Sequence, residues 1–408
     1  MQQQHVSHHP DSNSDPLSQP FPLSPGHSLL HRIVLAPMTR MRASDDGIIN
    51  SSAAEYYSSR ATRGGLLISE GVVVSPRGRG FPNTPGLYTR EQVTAWKAVT
   101  SAVHDKGGLF FAQIWHVGRV AVPSQTGGNK PLSATARPLP GAHQMFGQQN
   151  ATEMYVPGEA MTKDQIGEAV SQFAQAARNA IEAGFDGVEI HGGNGYLLDT
   201  FVHSNINDRT DEYGGSLHNR LRFPLEVVDA VVEAVGSERV GIRLAPFHVL
   251  QETLDEDRMG TFSEYVRRLS LRRLAYLHLV EPRYDVLSTE GAFAGKVDRK
   301  AGAAEEVTTT TTFSLEPFRE ILKQTSPPTP LIGAGGYNAS SAREAVNSGR
   351  VDLVAIGRHF TSNPDLVDRL LLGKSLTKYD RPTFYTPSLK GYLGWRTWRE
   401  EEEVQSTK

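Results

Sequence analysis

The strongest constraint on the fold of this chain is a repeated alternation of short apolar segments with longer segments of helical periodicity. The apolar segments contain Val, Ile and Leu without strict polar alternation, which is typical of strands buried on both faces. Eight such segments are found: Ile33–Ala36, Gly65–Glu70, Leu109–Ile114, Gly187–Ile190, Val240–Leu244, Tyr276–Val280, Pro330–Gly333 and Leu353–Ile356. Eight strand-then-helix units predict a closed (β/α)8 barrel of the α/β class rather than an open doubly wound sheet.

Helices are predicted between these strands, where apolar residues recur at helical spacing. They span Ser51–Thr62, Arg90–Lys106, Lys163–Ala183, Arg222–Val235, Thr261–Leu271, Leu315–Lys323, Ala339–Asn347 and Pro364–Leu372. The pair Asn363-Pro364 is interpreted as a helix start, because proline fits the first helical position. The fold prediction is therefore a single-domain TIM barrel with long loops.

Some parts of the chain fall outside the repeat. Residues 1–27 are rich in Gln, His, Ser and Pro and contain neither Arg nor an apolar core, so we expect a disordered N-terminal extension rather than a signal or transit peptide. Residues 28–390 are predicted to form the barrel, and residues 391–408 a C-terminal tail. Residues 120–160 are expected to cap the barrel mouth, and residues 286–312 to form a flexible loop.

Composition excludes several function classes. The chain has 408 residues and a net charge of −3, which gives no electrostatic footprint for nucleic acid or an anionic membrane. No apolar run approaches the ~18 residues of a membrane-spanning helix. The absence of cysteine excludes disulfides, a catalytic thiol and cysteine-ligated zinc or iron–sulfur sites, and no metal site is predicted. The last residues do not form a peroxisomal address, so we expect a cytoplasmic protein.

A glycine-rich motif, His191-Gly-Gly-Asn194-Gly-Tyr196, follows the fourth predicted strand. Glycines let a backbone turn sharply and approach a ligand closely, so His191 and Asn194 can donate toward one point with the phenol of Tyr196 nearby. Two neutral donors and a proton source suit a reaction in which a carbonyl oxygen gains negative charge while a neighbouring carbon is protonated. The alternative is a glycine-rich turn with a capping Asn and aromatic side chains of no catalytic role.

Two loops at the end of the repeat predict a phosphate-binding site. Active sites of such barrels lie at the C-terminal ends of the strands. Strand seven is followed by Gly335-Gly336 and strand eight by Gly357-Arg358. Barrels of this type often bind phosphate in these two loops through backbone N–H groups and a helix N-terminus, and arginine adds a bidentate contact.

Three further strand-end residues suggest a bound group larger than phosphate. Gln113 can pair with the donor and acceptor edge of a heterocyclic ring, and Arg243 can stabilise negative charge on a reduced ring. Thr39 lies at the end of strand one. Together they predict a heterocyclic cofactor. The alternative for Arg243 is an interior ion pair with Glu70 or Glu189.

Seven segments match a known family in order along nearly the whole barrel, from about residue 30 to 387. They are Val34–Arg40, Gln113–Arg119, His191–Leu198, Asn207–Ser216, Glu281–Arg283, Gly357–Asp365 and Phe384-Tyr385. The chain resembles the old yellow enzyme family of flavin-dependent ene-reductases, in particular its 12-oxophytodienoate reductase-like branch. Asn194 departs from that branch, because many plant members carry His at this position, and the departure leaves the substrate preference open.

The resemblance implies an FMN-dependent enzyme that uses NADPH to reduce the carbon–carbon double bond of α,β-unsaturated carbonyl compounds, either 12-oxophytodienoate-like cyclopentenones or other enones. It implies FMN held by Pro37, Met38, Thr39, Gly71, Gln113, Arg243, Gly335, Gly336, Gly357 and Arg358. Thr39 is further implied to tune the flavin potential.

The resemblance also implies roles on the substrate side. His191 and Asn194 would donate hydrogen bonds to the substrate carbonyl, and Tyr196 would protonate the α carbon. The implied pocket is lined by Arg283, Phe384 and Tyr385. The expected partner is a small-molecule unsaturated carbonyl compound, with neither nucleic acid nor membrane, and the protein is expected to be a monomer or homodimer.

Two other functions stay open at this point. A glycosidase barrel could use Glu70, Glu189 or Glu281, but it needs two carboxylates flanking one bond and leaves the phosphate loops unexplained. A non-catalytic flavin-binding relative is the second alternative. Nothing in the sequence supports it, because all three polar residues of the glycine-rich motif are present.

Overall fold

A closed barrel of strands forms the centre of the fold. The structure, a computed structural model, describes residues 15–145, 151–282 and 313–407. Its strands are β1 (Phe21–Ser24), β2 (His27–Leu29), β3 (Ile33–Leu35), β4 (Leu66–Val73), β5 (Leu109–Trp115), β6 (Leu132–Ser133), β7 (Ala142–Gln144), β8 (Thr152–Met154), β9 (Glu159–Ala160), β10 (Gly187–His191), β11 (Val240–Leu244), β12 (Tyr276–Val280), β13 (Leu331–Ala334) and β14 (Leu353–Ile356). Eight of them, β3 to β5 and β10 to β14, pair in parallel and close on themselves, which confirms the predicted (β/α)8 barrel.

The helices follow the barrel strands and pack around them. They are α1 (Ser52–Ser58), α2 (Arg90–His104), α3 (Lys163–Glu182), α4 (Leu197–Val202), α5 (Leu217–Arg220), α6 (Arg222–Val235), α7 (Arg258–Ser270), α8 (Glu316–Lys323), α9 (Ala339–Asn347), α10 (Arg358–Ser362), α11 (Leu366–Leu371) and α12 (Trp398–Ser406). Thr89 and Thr162 cap α2 and α3 in capping boxes with Gln92 and Gln165. Such boxes satisfy two backbone N–H groups at each start and fix where the helix begins.

The predicted helix start at Asn363-Pro364 is wrong. Helix α10 ends at Ser362, and α11 begins at Leu366 with Asp365 as its N-cap residue. The proline therefore lies in the link between two helices, where its missing N–H costs no helical hydrogen bond.

The predicted disordered extension, residues 1–27, needs a correction at its C-terminal boundary. From Asp15 onward the chain forms a 3-10 turn and β1, which pairs with β2 in an antiparallel hairpin. Leu17, Leu23 and Leu29 are buried there. Composition concealed this hairpin, because spaced leucines in a Pro- and Ser-rich segment do not form a continuous apolar run. The residues before Asp15 lie outside the described residues.

The hairpin closes the N-terminal end of the barrel. Its Leu23 and Leu29 belong to one buried cluster with Phe111 and Tyr276, whose side chains come from barrel strands. Because β2 leads directly into the start of β3, the hairpin lies at the end of the barrel where the strands begin. The opposite end, where the strands finish, is left for the functional site.

The excursion after β5 lies against the mouth of the barrel, as predicted for residues 120–160. In this excursion β6 pairs with β9 and β7 pairs with β8. Its Leu139 and Tyr155 pack in a cluster with Trp115 at the end of β5, and Tyr196 packs against the same cluster. The predicted flexible loop at 286–312 lies outside the described residues.

The C-terminal segment predicted as a tail contains a packed helix. In α12, Glu401 accepts hydrogen bonds from Arg369 at 3.0 Å and Thr377 at 2.8 Å, and Glu402 accepts one from Lys374 at 2.8 Å. These contacts fasten α12 to the region around α11. Across the described parts of the chain, no helix is long and apolar enough to cross a membrane.

Candidate active site

The C-terminal ends of the barrel strands bring most of the predicted site residues to one end of the fold. Strand by strand these residues are Pro37, Met38 and Thr39 after β3, Gly71 in β4, Gln113 in β5, His191, Asn194 and Tyr196 at or after the end of β10, Arg243 in β11, Gly335 and Gly336 after β13, and Gly357 and Arg358 after β14. The sheet register pairs His191 with Arg243, and Arg243 with His278 of β12. Arg283 lies outside the described residues.

His191 is a neutral hydrogen-bond donor. Burial holds the pKa of its imidazole well below the ordinary value, and the positive charge of Arg243 lowers it further. His191 Nδ1 accepts a hydrogen bond from the backbone N–H of Gly193 at 3.4 Å. The single proton of the neutral ring therefore lies on Nε2, which is able to donate to a ligand.

Asn194 occupies a strained turn that is held from several sides. Its φ is 61° and that of Gly195 is 72°, so two successive residues adopt the left-handed conformation. The N–H of Gly192 donates to the carbonyl of Arg243 at 2.8 Å, and a Cβ added at Gly193 would lie 2.8 Å from the backbone N of Ala245. The turn is thus pressed against β11. Among the described residues, none donates a hydrogen bond to the buried Oδ1 of Asn194.

Tyr196 keeps its phenolic proton. Burial raises the pKa of the phenol, and the neighbouring phenols of Tyr385 and Tyr155 raise it further. The ring packs edge-on against His191 at 4.9 Å and against Trp115 at 5.0 Å between centroids. A protonated phenol and a neutral imidazole donor therefore lie side by side, which suits proton delivery next to a polarised carbonyl.

A buried carboxylate, Glu189, lies two residues before His191 in β10, on the same face of the strand. Gln113 Nε2 donates to Glu189 Oε1 at 2.7 Å, and His278 Nδ1 lies 2.9 Å from Glu189 Oε2. Burial lowers the pKa of His278, so its neutral ring donates from Nδ1. The Gln113 amide is held in one orientation, with its Oε1 and a second N–H left for other partners.

The two carboxylates proposed as ion-pair partners of Arg243 are engaged by other residues. Glu189 is bound to Gln113 and His278 as above, and Glu70 Oε2 accepts the backbone N–H of Arg40 at 3.1 Å. Burial raises the pKa of Glu70 to about 7. Both side chains therefore have hydrogen-bond partners other than Arg243.

The strand ends fit FMN. Gly335 and Gly336 have φ of 127° and 76°, and a Cβ added at Gly336 would meet nothing within 4 Å, so this backbone borders open space. Close packing leaves no room for a side chain at Gly71, where an added Cβ would lie 2.4 Å from Trp115. A glycine-lined loop for phosphate, a fixed amide at Gln113 and a cation at Arg243 together suit a phosphorylated planar heterocycle.

Comparison with known proteins identifies the family. The sequence matches the NADH:flavin oxidoreductase / NADH oxidase family over residues 16–376. The chain belongs to this family. It is 46% identical over 387 residues to 12-oxophytodienoate reductase 7 of Oryza sativa subsp. japonica, covering 93% of this chain and 94% of the relative. It is also 44% identical over 391 residues to a flavin oxidoreductase of Emericella nidulans, covering 93% of this chain and 97% of that relative.

Solved structures similar to this chain agree with the barrel. The old yellow enzyme homologue from Zymomonas mobilis has a TM-score of 0.82 at 36% identity and covers 93% of this chain and 99% of its own. Morphinone reductase has the same TM-score and identity, with 95% and 98% covered. The resemblance to the old yellow enzyme family is therefore confirmed. The protein is an FMN-dependent flavin oxidoreductase of the ene-reductase class.

In this NADH:flavin oxidoreductase, two buried arginines hold the segment that carries Phe384 and Tyr385. Arg42 donates to the carbonyl oxygens of Phe384 and Thr383, each at 3.0 Å, and Arg40 Nε donates to that of Phe384 at 3.3 Å. The Arg40 guanidinium also lies 4.9 Å from the centre of the Tyr56 ring, in a cation–π contact. These contacts connect the end of β3, next to Thr39, to the segment that packs near Tyr196.

Sequence reasoning missed Tyr155, His278 and the two arginine contacts. His278 could have been noticed as a lone polar residue in the middle of an apolar strand. Tyr155 carried no such signal, because its place near Tyr196 depends on how the excursion folds back. Its Oη lies 3.1 Å from Nδ1 of His143, and burial raises the pKa of the phenol to about 12.

Proposed function

We propose that the site reduces the double bond of cyclic enones, including cyclopentenones of the 12-oxophytodienoate type, with NADPH as the reductant. The observation that carries this proposal is the pairing of a neutral imidazole donor at His191 with a protonated phenol at Tyr196. Relatives named 12-oxophytodienoate reductase support the substrate class. Asn194 broadens the proposal to other enones, because its amide is a smaller donor than the imidazole of the plant branch.

Different residues of the site bind the substrate carbonyl and deliver the proton. When bound, FMN would supply the hydride-transfer chemistry that links NADPH to the β carbon of the enone. His191 Nε2 and the Asn194 amide donate hydrogen bonds to the carbonyl oxygen, where negative charge grows. One such donor is worth about 3 kcal/mol in the transition state. Tyr196 then gives its proton to the α carbon. Phe384, Tyr385 and Arg283 are proposed to line the pocket and limit the shape of the substrate.

The proposed FMN contacts follow the strand ends. Arg243 supplies positive charge beside the ring, Gln113 supplies a donor and an acceptor, and Thr39 tunes the ring by a hydrogen bond. The remaining proposed contacts are Pro37, Met38, Gly71, Gly335, Gly336, Gly357 and Arg358. Gly335, Gly336 and Gly357 bind the phosphate through backbone N–H groups, and Arg358 binds it through its guanidinium.

We also propose that residues 28–390 form the FMN-binding barrel, that the protein is a monomer or a homodimer, and that it is cytoplasmic. The closed barrel and the strand-end site both lie within that range and support the first point. Light scattering of the FMN-loaded protein distinguishes the two oligomeric states.

A panel of acceptors tests the proposed function. The FMN-loaded enzyme is given NADPH or NADH without oxygen, together with 12-oxophytodienoate, cyclohexenone, maleimide or a nitroalkene. We expect turnover of the cyclic enones, with a lower KM for NADPH than for NADH. Bleaching of the flavin by NADPH without reoxidation by any of these acceptors would instead support the non-catalytic flavin-binding alternative.

A further inference from the structure

The turn that carries Asn194 rests on three buried ionisable side chains, Asp199, His203 and Asp255, which we call the Asp–His–Asp array. Each of these side chains is at most 2% exposed. Asp199 Oδ2 accepts the backbone N–H of Gly195 at 2.8 Å. The first carboxylate of the array therefore holds the peptide directly after Asn194.

The two ring nitrogens of His203 face the two carboxylates. Nε2 lies 3.2 Å from Asp199 Oδ1, and Nδ1 lies 3.9 Å from Asp255 Oδ2. Neither ring nitrogen of His203 forms a hydrogen bond with a described residue, and the contact to Asp255 is too long for one. The imidazole lies between two buried acidic groups. The ring of Phe262, at 5.7 Å between centroids, covers it from α7.

Asp255 fastens the array to the neighbouring barrel unit. It accepts hydrogen bonds from the backbone N–H of Ser204 at 3.2 Å and from Thr261 Oγ1 at 3.3 Å. The guanidinium of Arg220 lies 3.9 Å away. Because Asp255 belongs to the loop between β11 and α7 and Asp199 to α4, the array ties the loop after β10 to the loop after β11.

A contribution to the stability of the fold is a weak explanation for the Asp–His–Asp array. Buried ionisable groups carry a desolvation cost, and apolar residues of similar volume often stabilise a fold as well or better. Asn194, in contrast, benefits from an external restraint, because its left-handed φ of 61°, although better tolerated by Asn than by most residues with a side chain, is less favourable than the ordinary conformations. The bond from Gly195 to Asp199 supplies this restraint.

We propose that His203 is a positioning residue that acts through Asp199 to hold Asn194 in the conformation that presents its amide to the substrate carbonyl. This inference rests on the role proposed above for Asn194. It predicts that His203 affects carbonyl substrates selectively, although its side chain does not contact the substrate.

A double-substitution cycle tests the proposal. His203→Leu is made alone and together with Asn194→Gly, which removes the amide but accepts the left-handed φ. The FMN-loaded proteins are reduced by light, and reoxidation is followed with cyclohexenone or with dioxygen, which needs no carbonyl donor. We expect His203→Leu to slow the enone reaction about tenfold, to leave the oxygen reaction within about twofold, and to add less than about twofold in the Asn194→Gly background.

Ligand binding gives a second readout that does not depend on turnover. Cyclohexanone has the carbonyl but no reducible double bond, and its binding is followed through the flavin absorbance. His203→Leu should weaken this binding about tenfold, and His203→Gln, which keeps a polar side chain between the carboxylates, should restore part of it. Because His203→Gln is the milder change, it also serves if His203→Leu does not fold.

His31→Leu is the matched control. His31 is buried at the opposite end of the barrel, where its Nε2 lies 2.7 Å from Thr62 Oγ1. Its loss should lower the melting temperature without slowing reoxidation by the enone. Equal slowing by His203→Leu in both backgrounds, or with both oxidants, overturns the positioning role. If Asn194→Gly alone leaves the enone reaction unchanged, the role proposed for Asn194 is overturned instead, and the positioning role falls with it.

Discussion

At the residue scale, the chemistry of the site depends on two side chains whose acidities are shifted in opposite directions. Burial lowers the pKa of His191 and raises that of Tyr196, so neither group carries charge near neutral pH. A neutral imidazole can polarise a carbonyl by a hydrogen bond. Because it carries no positive charge, it does not favour an anion over the carbonyl substrate. A neutral phenol keeps a proton to deliver. The positive charge of Arg243 lowers both pKa values: it disfavours the imidazolium of His191, and it partly offsets the rise in the Tyr196 pKa.

Replacing Tyr196 by Phe tests the assignment of the proton donor. Tyr196→Phe removes the proton source but keeps the ring packed against Trp115, so we expect flavin reduction by NADPH to change less than about twofold. Enone reduction should slow by about 10²- to 10⁴-fold, the usual contribution of a general acid. Anaerobic stopped-flow measurements separate the two half-reactions.

The control for this change is Tyr213→Phe. The Tyr213 phenol donates to Glu226 at 3.2 Å on the outside of the barrel, so its loss should leave both half-reactions unchanged. A collapse of flavin reduction in Tyr196→Phe would show that Tyr196 supports the reductive half-reaction and is not mainly an acid for the enone.

At the scale of elements, the pocket wall depends on how the C-terminal segment is anchored. Arg42 is buried and donates to five backbone carbonyls or hydroxyls between Thr383 and Lys390, in addition to the carbonyl of Arg40. Burial and the charge of Arg40 lower its pKa to about 10, which leaves the guanidinium charged at neutral pH. One cation therefore fixes a segment without regular structure against the end of β3.

Substituting Arg42 by Met should loosen this segment without removing the flavin contacts. We expect KM for cyclic enones to rise about five- to tenfold, because Phe384 and Tyr385 lose their fixed positions, a cost of about 1 kcal/mol or more. The dissociation constant of FMN should change less than about twofold. Steady-state kinetics and flavin fluorescence titration measure the two quantities.

Arg32→Met is a matched control for this substitution. Arg32 also donates to backbone carbonyls, those of Asp352 at 3.3 Å and Pro20 at 3.5 Å, but at the N-terminal end of the barrel. It should affect thermal stability and leave KM unchanged. An unaltered KM in Arg42→Met would mean that the segment keeps its position through Arg40 and its apolar contacts alone.

Sequence periodicity predicted the long-range fold better than its short elements. Strands β11, β12 and β14 and helices α6 and α9 match their predicted bounds; Asn338 caps the start of α9, and Gly236 follows the end of α6. The β1–β2 hairpin and the small sheets of the excursion were missed. Their strands have two to four residues, too few for a period to be recognised, and their pairing depends on distant contacts.

At the scale of the whole molecule, the barrel explains why residues far apart in sequence could be assigned to one site. Parallel strands end at the same rim, so Gln113, His191 and Arg243 meet wherever their strands lie in the chain. The side-chain contacts around the site could not be predicted from strand order. Neither the bond from Gln113 to Glu189 nor the array behind Asn194 follows from strand order, because side-chain direction and helix placement determine both.

The buried ionisable groups of the whole molecule together predict how its stability depends on pH. Burial lowers the pKa of His31 to about 4 and that of His116 to about 3 from an ordinary value of 6.5. Below pH 6.5 the unfolded chain binds protons at both sites and the folded chain does not, so acid destabilises the fold by about 1.4 kcal/mol per pH unit for each histidine. Burial raises the pKa of Glu70 from 4.5 to about 7. Between these two values the folded chain keeps a proton that the unfolded chain has lost, so Glu70 opposes one histidine.

Two histidines opposed by Glu70 give a net slope of about 1.4 kcal/mol per pH unit, and His191 and His278, whose pKa values burial also lowers, make it steeper. We therefore expect the free energy of unfolding to fall by at least about 1.4 kcal/mol per pH unit as the pH is lowered from 6.5 toward 4.5, and to change little above pH 7.5. Urea unfolding of the FMN-loaded protein at several pH values measures this slope. Glu70→Gln removes the opposing group and should make the loss in acid steeper, whereas His31→Gln removes one titrating site and should make it shallower. Stability that rises as the pH falls from 6.5 to 4.5 would contradict the assignment, because it would require Glu70 to outweigh both buried histidines.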